Sequence, residues 1–471
     1  MLTKPIRKIL NFNGRELGIS LLLASLAAVF SSFTIYLILG AVLVYCLYIY
    51  SDKIAIPFVI VSYLILVSDI NENIRIYINI FNLFLLGYLF LKEYGLDFSK
   101  YPVIPKNILL IFILIFSAMI LSSIFSKNIY TGFIEVARTI IFAVIMYFLF
   151  SFLKQNKDIY KYLNSILFAG LVVSLSLIIE FIRSDKLQYL LETSGFVTIG
   201  GYFTNSTAVG GFLTVTLAVT TAYILLNSGE NNKNLRYSLY SFFLLQLIAL
   251  LLTNARASII AWFISFAVSL YYLKKDVFKK ILISLAAISL IVFLFPQFNM
   301  LVDNYFRSNR ILENTRYPLW EMAWKMFINH PLLGIGPGMF RNYMYTYLPV
   351  PLGSWTEQQI YVLQQIAAAP AHNFLLMQAS ELGLAGLSIA ILIIYSFLKT
   401  GFSVIKKTFN TDGNNYILAV VLTAAGLGLF ARSIFESTGI FTNGWITRDL
   451  PFWLIFIILS YLSRNPNIIK N

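Results

Sequence analysis

Charge is scarce in this chain. Only 12% of its 471 residues are Asp, Glu, Lys or Arg, against about 25% in a soluble domain. That shortage excludes a soluble enzyme or soluble binding module as the reading of the whole sequence. Cysteine is nearly missing as well. Cys46 stands alone inside an apolar run, so no internal disulfide can form and the redox compartment stays undetermined. There are two histidines, His330 and His372, and without a cysteine partner they make a poor zinc site. No closely spaced pair of acids in a polar loop looks like a metal cradle. Neither a metal nor any other cofactor is expected. The sequence shows no internal repeat, no low-complexity segment and no clear Ala-x-Ala site after its first apolar run, so no cleavable signal is expected.

Apolar sequence is abundant. Hydrophobic residues make up 59% of the chain, with 41 phenylalanines and 29 tyrosines, a supply of rings that suits a lipid-facing surface and the membrane–water interface. Runs of roughly 17 to 25 apolar residues recur from end to end, as in a polytopic helical membrane protein. The stretch Leu17 to Tyr50 is too long for one span and divides near Ser31-Ser32. Further spans fit at 54–69, 74–91, 106–124, 131–153, 160–182, 207–226, 237–252, 256–273, 278–295, 373–398, 415–435 and 450–463. The expected fold class is an all-α, polytopic membrane helical bundle of about 12 to 14 spans, a single integral membrane domain over residues 1–471.

A net charge of +14 could indicate a nucleic-acid partner, but its distribution gives a different explanation. With the N-terminus placed in the cytoplasm, alternate loops collect 22 of the 35 basic residues on that side, among them Lys53, Lys154, Lys274, Lys275 and Lys406. Positive charge on cytoplasmic loops is a topology signal, so no nucleic acid is needed. The opposite face then receives the polar segments 183–206, 253–256, 296–372 and 436–449.

The longest of these, 296–372, is too long for a bare connector. It contains both histidines, four arginines (Arg307, Arg310, Arg316 and Arg341) and three tryptophans. Arg316 to Phe327 reads as an amphipathic surface helix with Trp320 and Trp324 at i, i+4. Arg316 opens that helix, where a cation opposes the dipole, so something anionic should offset it. Arg256, in TNARASIIAW, starts an apolar span. It is either a snorkelling interfacial arginine or an anion clamp, since an arginine beside a span is costly unless paired or functional. Two arginines on one face can grip a diphosphate in forked geometry. His372 follows Pro370 and opens the twelfth span. It is either a capping or interfacial histidine, or a general base whose neutral form is favoured by the helix N-terminus. His330 sits in the glycine- and proline-rich NHPLLGIGPG and reads as structural, with substrate contact as the alternative. Arg341 is a further possible substrate contact. Ionisable residues inside spans are few, chiefly Glu135, Arg138, Glu180 and Arg432. That argues against a transporter or flippase, which would place such groups at mid-membrane on several helices.

Several of these features occur together in one order: Arg316, Trp320, Phe327-Ile328-Asn329-His330-Pro331-Leu332-Leu333-Gly334-Ile335-Gly336-Pro337-Gly338, then His372-Asn373-Phe374 and Glu381-Leu382-Gly383-Leu384-Ala385-Gly386. This ordered set resembles the O-antigen ligase and O-antigen polymerase superfamily, over a shared region of roughly 200–395. The resemblance implies a helical bundle of GT-C type with short helices in the large outer loop. It implies transfer of a glycan from undecaprenyl diphosphate to an acceptor sugar, either lipid A core or a second lipid-linked glycan. Transfer would be metal-independent and inverting, on the periplasmic side of the bacterial inner membrane. By the same resemblance Arg256 and Arg316 look like the diphosphate-binding arginines and His372 like the base. GYFTNSTAVGGFL resembles the family's aromatic-x-Asn-Pro-Asn segment, but Ser206 and Thr207 replace Pro-Asn, which leaves Asn205 only a possible substrate contact. The first outer loop has no acid, although many membrane glycosyltransferases place one there.

Overall fold

The computed structural model describes residues 54–65, 72–184, 205–228, 233–294, 316–347, 370–409 and 413–465. The two spans expected between Leu17 and Tyr50, and most of the 296–372 segment, lie outside these residues. The described helices are α1 (Ala55–Ile65), α2 (Glu72–Tyr94), α3 (Lys106–Ile124), α4 (Ile129–Ser151), α5 (Asn156–Arg183), α6 (Ser206–Leu226) and α7 (Lys233–Leu252). They continue with α8 (Arg256–Leu273), α9 (Lys275–Leu294), α10 (Arg316–Asn329), α11 (Phe340–Tyr343), α12 (Phe374–Thr408), α13 (Gly413–Ser433) and α14 (Ile446–Arg464). Ten of them, α2 to α8 and α12 to α14, are long and apolar enough to cross a membrane. The protein is an all-α polytopic membrane bundle.

The span expected at 373–398 is corrected. Helix α12 runs for 35 residues, to Thr408, and takes in Lys399, Lys406 and Lys407, which the sequence reading placed in a loop. It is broken at Gly383, which has φ 66° and ψ −149°. Buried Gly401, Val404 and Thr408 carry the helix past the apolar stretch by packing, and the two lysines of its last turn suit the negative end of the dipole.

Helices α6, α13 and α14 form the centre, and their side chains are mostly buried. Lipid gives no hydrophobic drive for helices to associate, so close contact depends on small residues and interhelical polar bonds. A Cβ on Gly428 of α13 would lie 2.2 Å from the Ala261 carbonyl oxygen of α8, and one on Gly210 of α6 would lie 2.7 Å from the Ala255 Cβ. The Thr214 hydroxyl donates to the Ser258 carbonyl (3.1 Å), and Thr220 donates to Gln246 (2.8 Å). These contacts hold the N-terminal ends of α6 and α8 against the C-terminal end of α13. The chemistry-bearing residues collect at that end of the bundle.

Candidate active site

One carboxylate organises this end. Glu436 lies in the loop between α13 and α14 with its side chain only 4% exposed. One oxygen accepts from the Arg316 guanidinium (2.9 Å), and the other faces His372 Nδ1 at 3.0 Å. Burial by itself would push the Glu436 carboxyl up. The His372 hydrogen bond and the charges of Arg432, His372 and Arg316 outweigh burial and hold it below the ordinary value of 4.5. The anion that sequence reasoning required beside Arg316 is therefore a carboxylate of the chain itself. With Glu436 accepting from Nδ1–H, the neutral ring keeps its acceptor lone pair on Nε2.

The backbone around His372 is fixed from several directions. His372 has a left-handed φ of 49°, a conformation that costs a non-glycine residue about 1–2 kcal/mol. Trp320 Nε1 donates to its carbonyl (3.4 Å). Asn373 caps α12 by accepting from Leu376 N (2.9 Å), while its amide donates to the Ile434 carbonyl (3.0 Å). Helix α10 buries Leu319, Met322, Ala323 and Met326, an i, i+3, i+4, i+7 face. Trp320 lies at the edge of that face and Trp324 is half exposed, so the tryptophan pair does not form the packed stripe.

Behind this group lies Arg432, 2% exposed near the end of α13. Its Nε donates to Ser258 Oγ (3.0 Å), one terminal nitrogen to the Thr438 carbonyl (2.5 Å) and the other to the Thr207 carbonyl (2.8 Å). The guanidinium thus ties the starts of α6 and α8 to the loop that carries Glu436. Gly211 and Gly439 admit it, since a Cβ at either would come within 2.9 Å.

Residues 241–391 match the protein-family model described as O-antigen ligase. The chain carries an O-antigen ligase-type region. A candidate polysaccharide ligase of Rickettsia typhi is 23% identical to it over 261 residues, which cover 54% of this chain and 58% of that protein. The chain therefore matches little more than half the length of this curated relative.

Within the ligase-type region the residues singled out in the sequence separate into two groups. Arg316 and His372 meet at Glu436. Arg256 is the first residue of α8, half-buried, two positions before the Ser258 that holds Arg432. The glycine-rich loop after α10 is a docking element. Ile335 N and Gly336 N donate to the Ser380 and Glu381 carbonyls (3.0 Å each), and Leu384 N donates to the Pro331 carbonyl (2.7 Å). The break at Gly383 frees these groups for cross-pairing. A Cβ on Gly334 would lie 2.3 Å from the Glu381 carbonyl, and one on Gly383 would lie 2.5 Å from that of Leu332. The Glu381 side chain accepts from Phe340 N (3.3 Å) and Asn443 Nδ2 (3.0 Å). His330 belongs to this element: its Nε2 is 3.2 Å from the Tyr347 hydroxyl and its ring meets Tyr343 edge-on. Arg341 is exposed on α11, and no bond joins it to Glu436 among the described residues. Asn205, outside the ligase-type region, caps α6 by accepting from Ala208 N (3.1 Å) and the Thr207 hydroxyl (2.8 Å).

Sequence reasoning did not assign roles to Glu436 or Arg432. A signal for them existed: an arginine near the end of an apolar span, with a glutamate four residues on, in a loop facing the same way as Arg316 and His372.

Proposed function

We propose that the chain is a lipid-linked glycan transferase, most simply an O-antigen ligase acting on a lipid A core acceptor. A polymerase that extends a lipid-linked repeat uses the same chemistry and is the second reading. The observation that carries the proposal is Glu436 joined at once to an arginine and to a histidine at a helix entrance.

The donor would be a glycan on undecaprenyl diphosphate, with its diphosphate held by Arg316 and Arg256. As the anomeric C–O bond breaks, charge grows on the departing diphosphate. Fixed guanidiniums stabilise that charge more in the transition state than in the ground state. His372 Nε2 would take the proton from the acceptor hydroxyl as its oxygen bonds the anomeric carbon from the opposite face, inverting the configuration. Glu436 would hold the ring in the required tautomer and stabilise the imidazolium that results. Binding roles for Arg341, His330 and Asn205 are secondary to this assignment. An apolar cleft of about 260 Å³ between α3, α4 and α14, lined by Ile108, Phe112, Ala143, Tyr147 and Ile457, suits a polyprenyl or acyl chain. The site would face the periplasm from the inner membrane.

The test is transfer by purified protein given polyprenyl-diphosphate-linked glycan and both acceptors, with chelator present. Product on lipid A core that is lost in His372→Ala and Arg316→Ala is the expected result. Lengthened lipid-linked glycan makes the chain a polymerase. Movement of labelled lipid-linked sugar across liposomes without release of diphosphate would replace the proposal with a flippase.

A further inference from the structure

The apolar cleft between α3, α4 and α14 occupies one half of the bundle only. At the end that holds Glu436, α3 and α4 touch through small residues. A Cβ on Gly132 of α4 would lie 2.5 Å from Ser123 Oγ of α3. Toward the other end, Phe112, Phe116, Tyr147 and Phe150 replace the small residues, and the cleft of about 260 Å³ lies between them. It runs from Phe116 back to Pro105 along α3 and from Ile140 to Phe150 along α4. About ten residues of helix rise about 15 Å, half of the roughly 30 Å of a bilayer's hydrocarbon. The cleft is therefore one leaflet deep, and the leaflet is the one away from Glu436.

Its floor is fixed and its mouth is basic. Phe112 stacks on Trp453 of α14 with ring centres 4.9 Å apart, and Trp453 Nε1 donates to the Ile440 carbonyl (2.8 Å). Ile457, one turn further along α14, completes the floor. Arg464 is exposed at the end of α14. It donates to the Val103 carbonyl (2.5 Å) and lies 5.7 Å from the centre of the Phe150 ring. That bond takes one of its five N–H groups. Val103 directly precedes Ile104 and Pro105, which line the cleft, and exposed Lys106 follows them as the first residue of α3. Asn107 donates to Thr400 (3.2 Å), which brings exposed Lys399 of α12 to the same end. The acids Glu93, Asp97 and Asp158 pair with Lys154, Lys100 and Lys161. Among the described residues no carboxylate pairs with Lys106 or Arg464.

We infer that this cleft is a binding site for an anionic phospholipid of the leaflet away from Glu436. One acyl chain lies in the cleft, and the phosphate lies against Arg464 and Lys106. The charge at the mouth selects the headgroup, since each basic residue near the membrane surface adds about 5-fold to the affinity for anionic lipid. The apolar walls accept any chain, so selectivity comes from the head and not from the tail. Depth separates this lipid from a polyprenyl tail. A polyprenyl diphosphate gripped beside Glu436 enters from the opposite leaflet and meets the closed Gly132–Ser123 contact first. The inference rests on the membrane-spanning fold and not on the transferase reading.

The experiment is lipid binding to the full chain in detergent, followed by native mass spectrometry. The probes are phosphatidylglycerol, phosphatidylcholine with the same acyl chains, and a polyprenyl phosphate. Phosphatidylglycerol should bind at least 10-fold more tightly than phosphatidylcholine. Arg464→Gln and Lys106→Gln should each weaken it about 5-fold and together about 30-fold, while phosphatidylcholine stays within 2-fold. Ala143→Phe fills the cleft from α4 and should remove tight binding of phosphatidylglycerol. Lys325→Gln, which removes a cation at the other end of the bundle, should change neither lipid. Equal wild-type affinity for the two phospholipids, or unchanged affinity in the double variant, would overturn the inference. So would full binding by folded Ala143→Phe, or a polyprenyl phosphate competing as well as phosphatidylglycerol, which would give the cleft to the donor's tail. The charge variants decide the question even if Ala143→Phe fails to fold. No step of the assay needs transfer, so its failure and a failure of transferase activity are read separately.

Discussion

Replacing Glu436 by glutamine removes the charge from the centre of the site while keeping its shape. The wild-type carboxylate makes two contacts at 2.9 and 3.0 Å, to Arg316 and His372, and is almost fully shielded from water. Glutamine has one acceptor oxygen. If that oxygen faces His372, the amide NH₂ meets the Arg316 guanidinium donor to donor; if it faces Arg316, His372 Nδ1–H loses its acceptor. One charge-assisted bond is lost in either case, about 1.5–3 kcal/mol. If the loss falls on the transition state, kcat drops by about 10- to 150-fold at roughly 1.4 kcal/mol per decade. The assay is steady-state transfer by wild type, Glu436→Gln, His372→Ala and the double variant. Groups that act as one unit are non-additive, so Glu436→Gln should add little once His372 is gone. A full multiplicative loss in the double variant, or a Glu436→Gln enzyme within 2-fold of wild type, would refute the reasoning that Glu436 acts through His372.

Further predictions follow from the same contacts. The Glu436 carboxyl is held below its ordinary 4.5, so its stabilisation is complete above that pH and is lost as pH falls through the lower folded-state value. Glu436→Gln should flatten the acid limb of a Tm-against-pH curve below about pH 4.5 and leave the slope near neutrality unchanged. Arg432→Lys cannot reproduce three bonds made in one plane; it should lower stability by about 3–5 kcal/mol, seen as a lower Tm that added substrate does not restore. Gly334→Ala places a Cβ 2.3 Å from backbone at a positive φ and should cost about 2–4 kcal/mol from overpacking and strain, again read as Tm. His330→Ala should lower Tm modestly through the lost Tyr347 contact, about 1 kcal/mol, while kcat stays within a few-fold of wild type.

Much of the fold was legible because the signals were long and one-dimensional. Apolar runs located α3, α6 and α8 to within a few residues, and the start of α10 at Arg316 agreed with the expected surface helix. The C-terminal end of α12 was less legible: basic residues after an apolar run look the same whether they close a span or continue its helix. Arg316 and His372 were singled out because each stands at a helix entrance next to a diagnostic pattern. Glu436 was not, because it is 64 residues from His372 and 120 from Arg316, and proximity of that kind comes only from packing. The glycine loop was noticed as a motif, but what it does was hidden. Gly334 is there because the Glu381–Leu382 backbone lies against it, while Gly336 faces Ser126 and Gly338 faces Glu135, contacts between segments that the sequence shows only separately.

The polarity of the helices adds an independent argument for an anionic substrate. Arg432 and Glu436 connect the starts of α6, α8, α10 and α12, and each start carries roughly half a positive charge from its free N–H groups. Arg256 and Arg316 are first residues of their helices, where a cation is normally disfavoured, and Arg432 is buried among them. One carboxylate, Glu436, faces Arg316, His372 and Arg432 together. Among the described residues it offsets about one unit of charge where four helix starts and three arginines gather. On the proposed reading a diphosphate would meet them as helix termini meet phosphate elsewhere, with its charge rising as the sugar leaves. Neutralising Arg316 removes its bond to buried Glu436 and should lower stability by about 1.5–3 kcal/mol, read as Tm, while transfer by the protein that remains folded falls by 10-fold or more. A variant whose loss of transfer only followed its loss of folded protein would place Arg316 in the structure rather than in the chemistry.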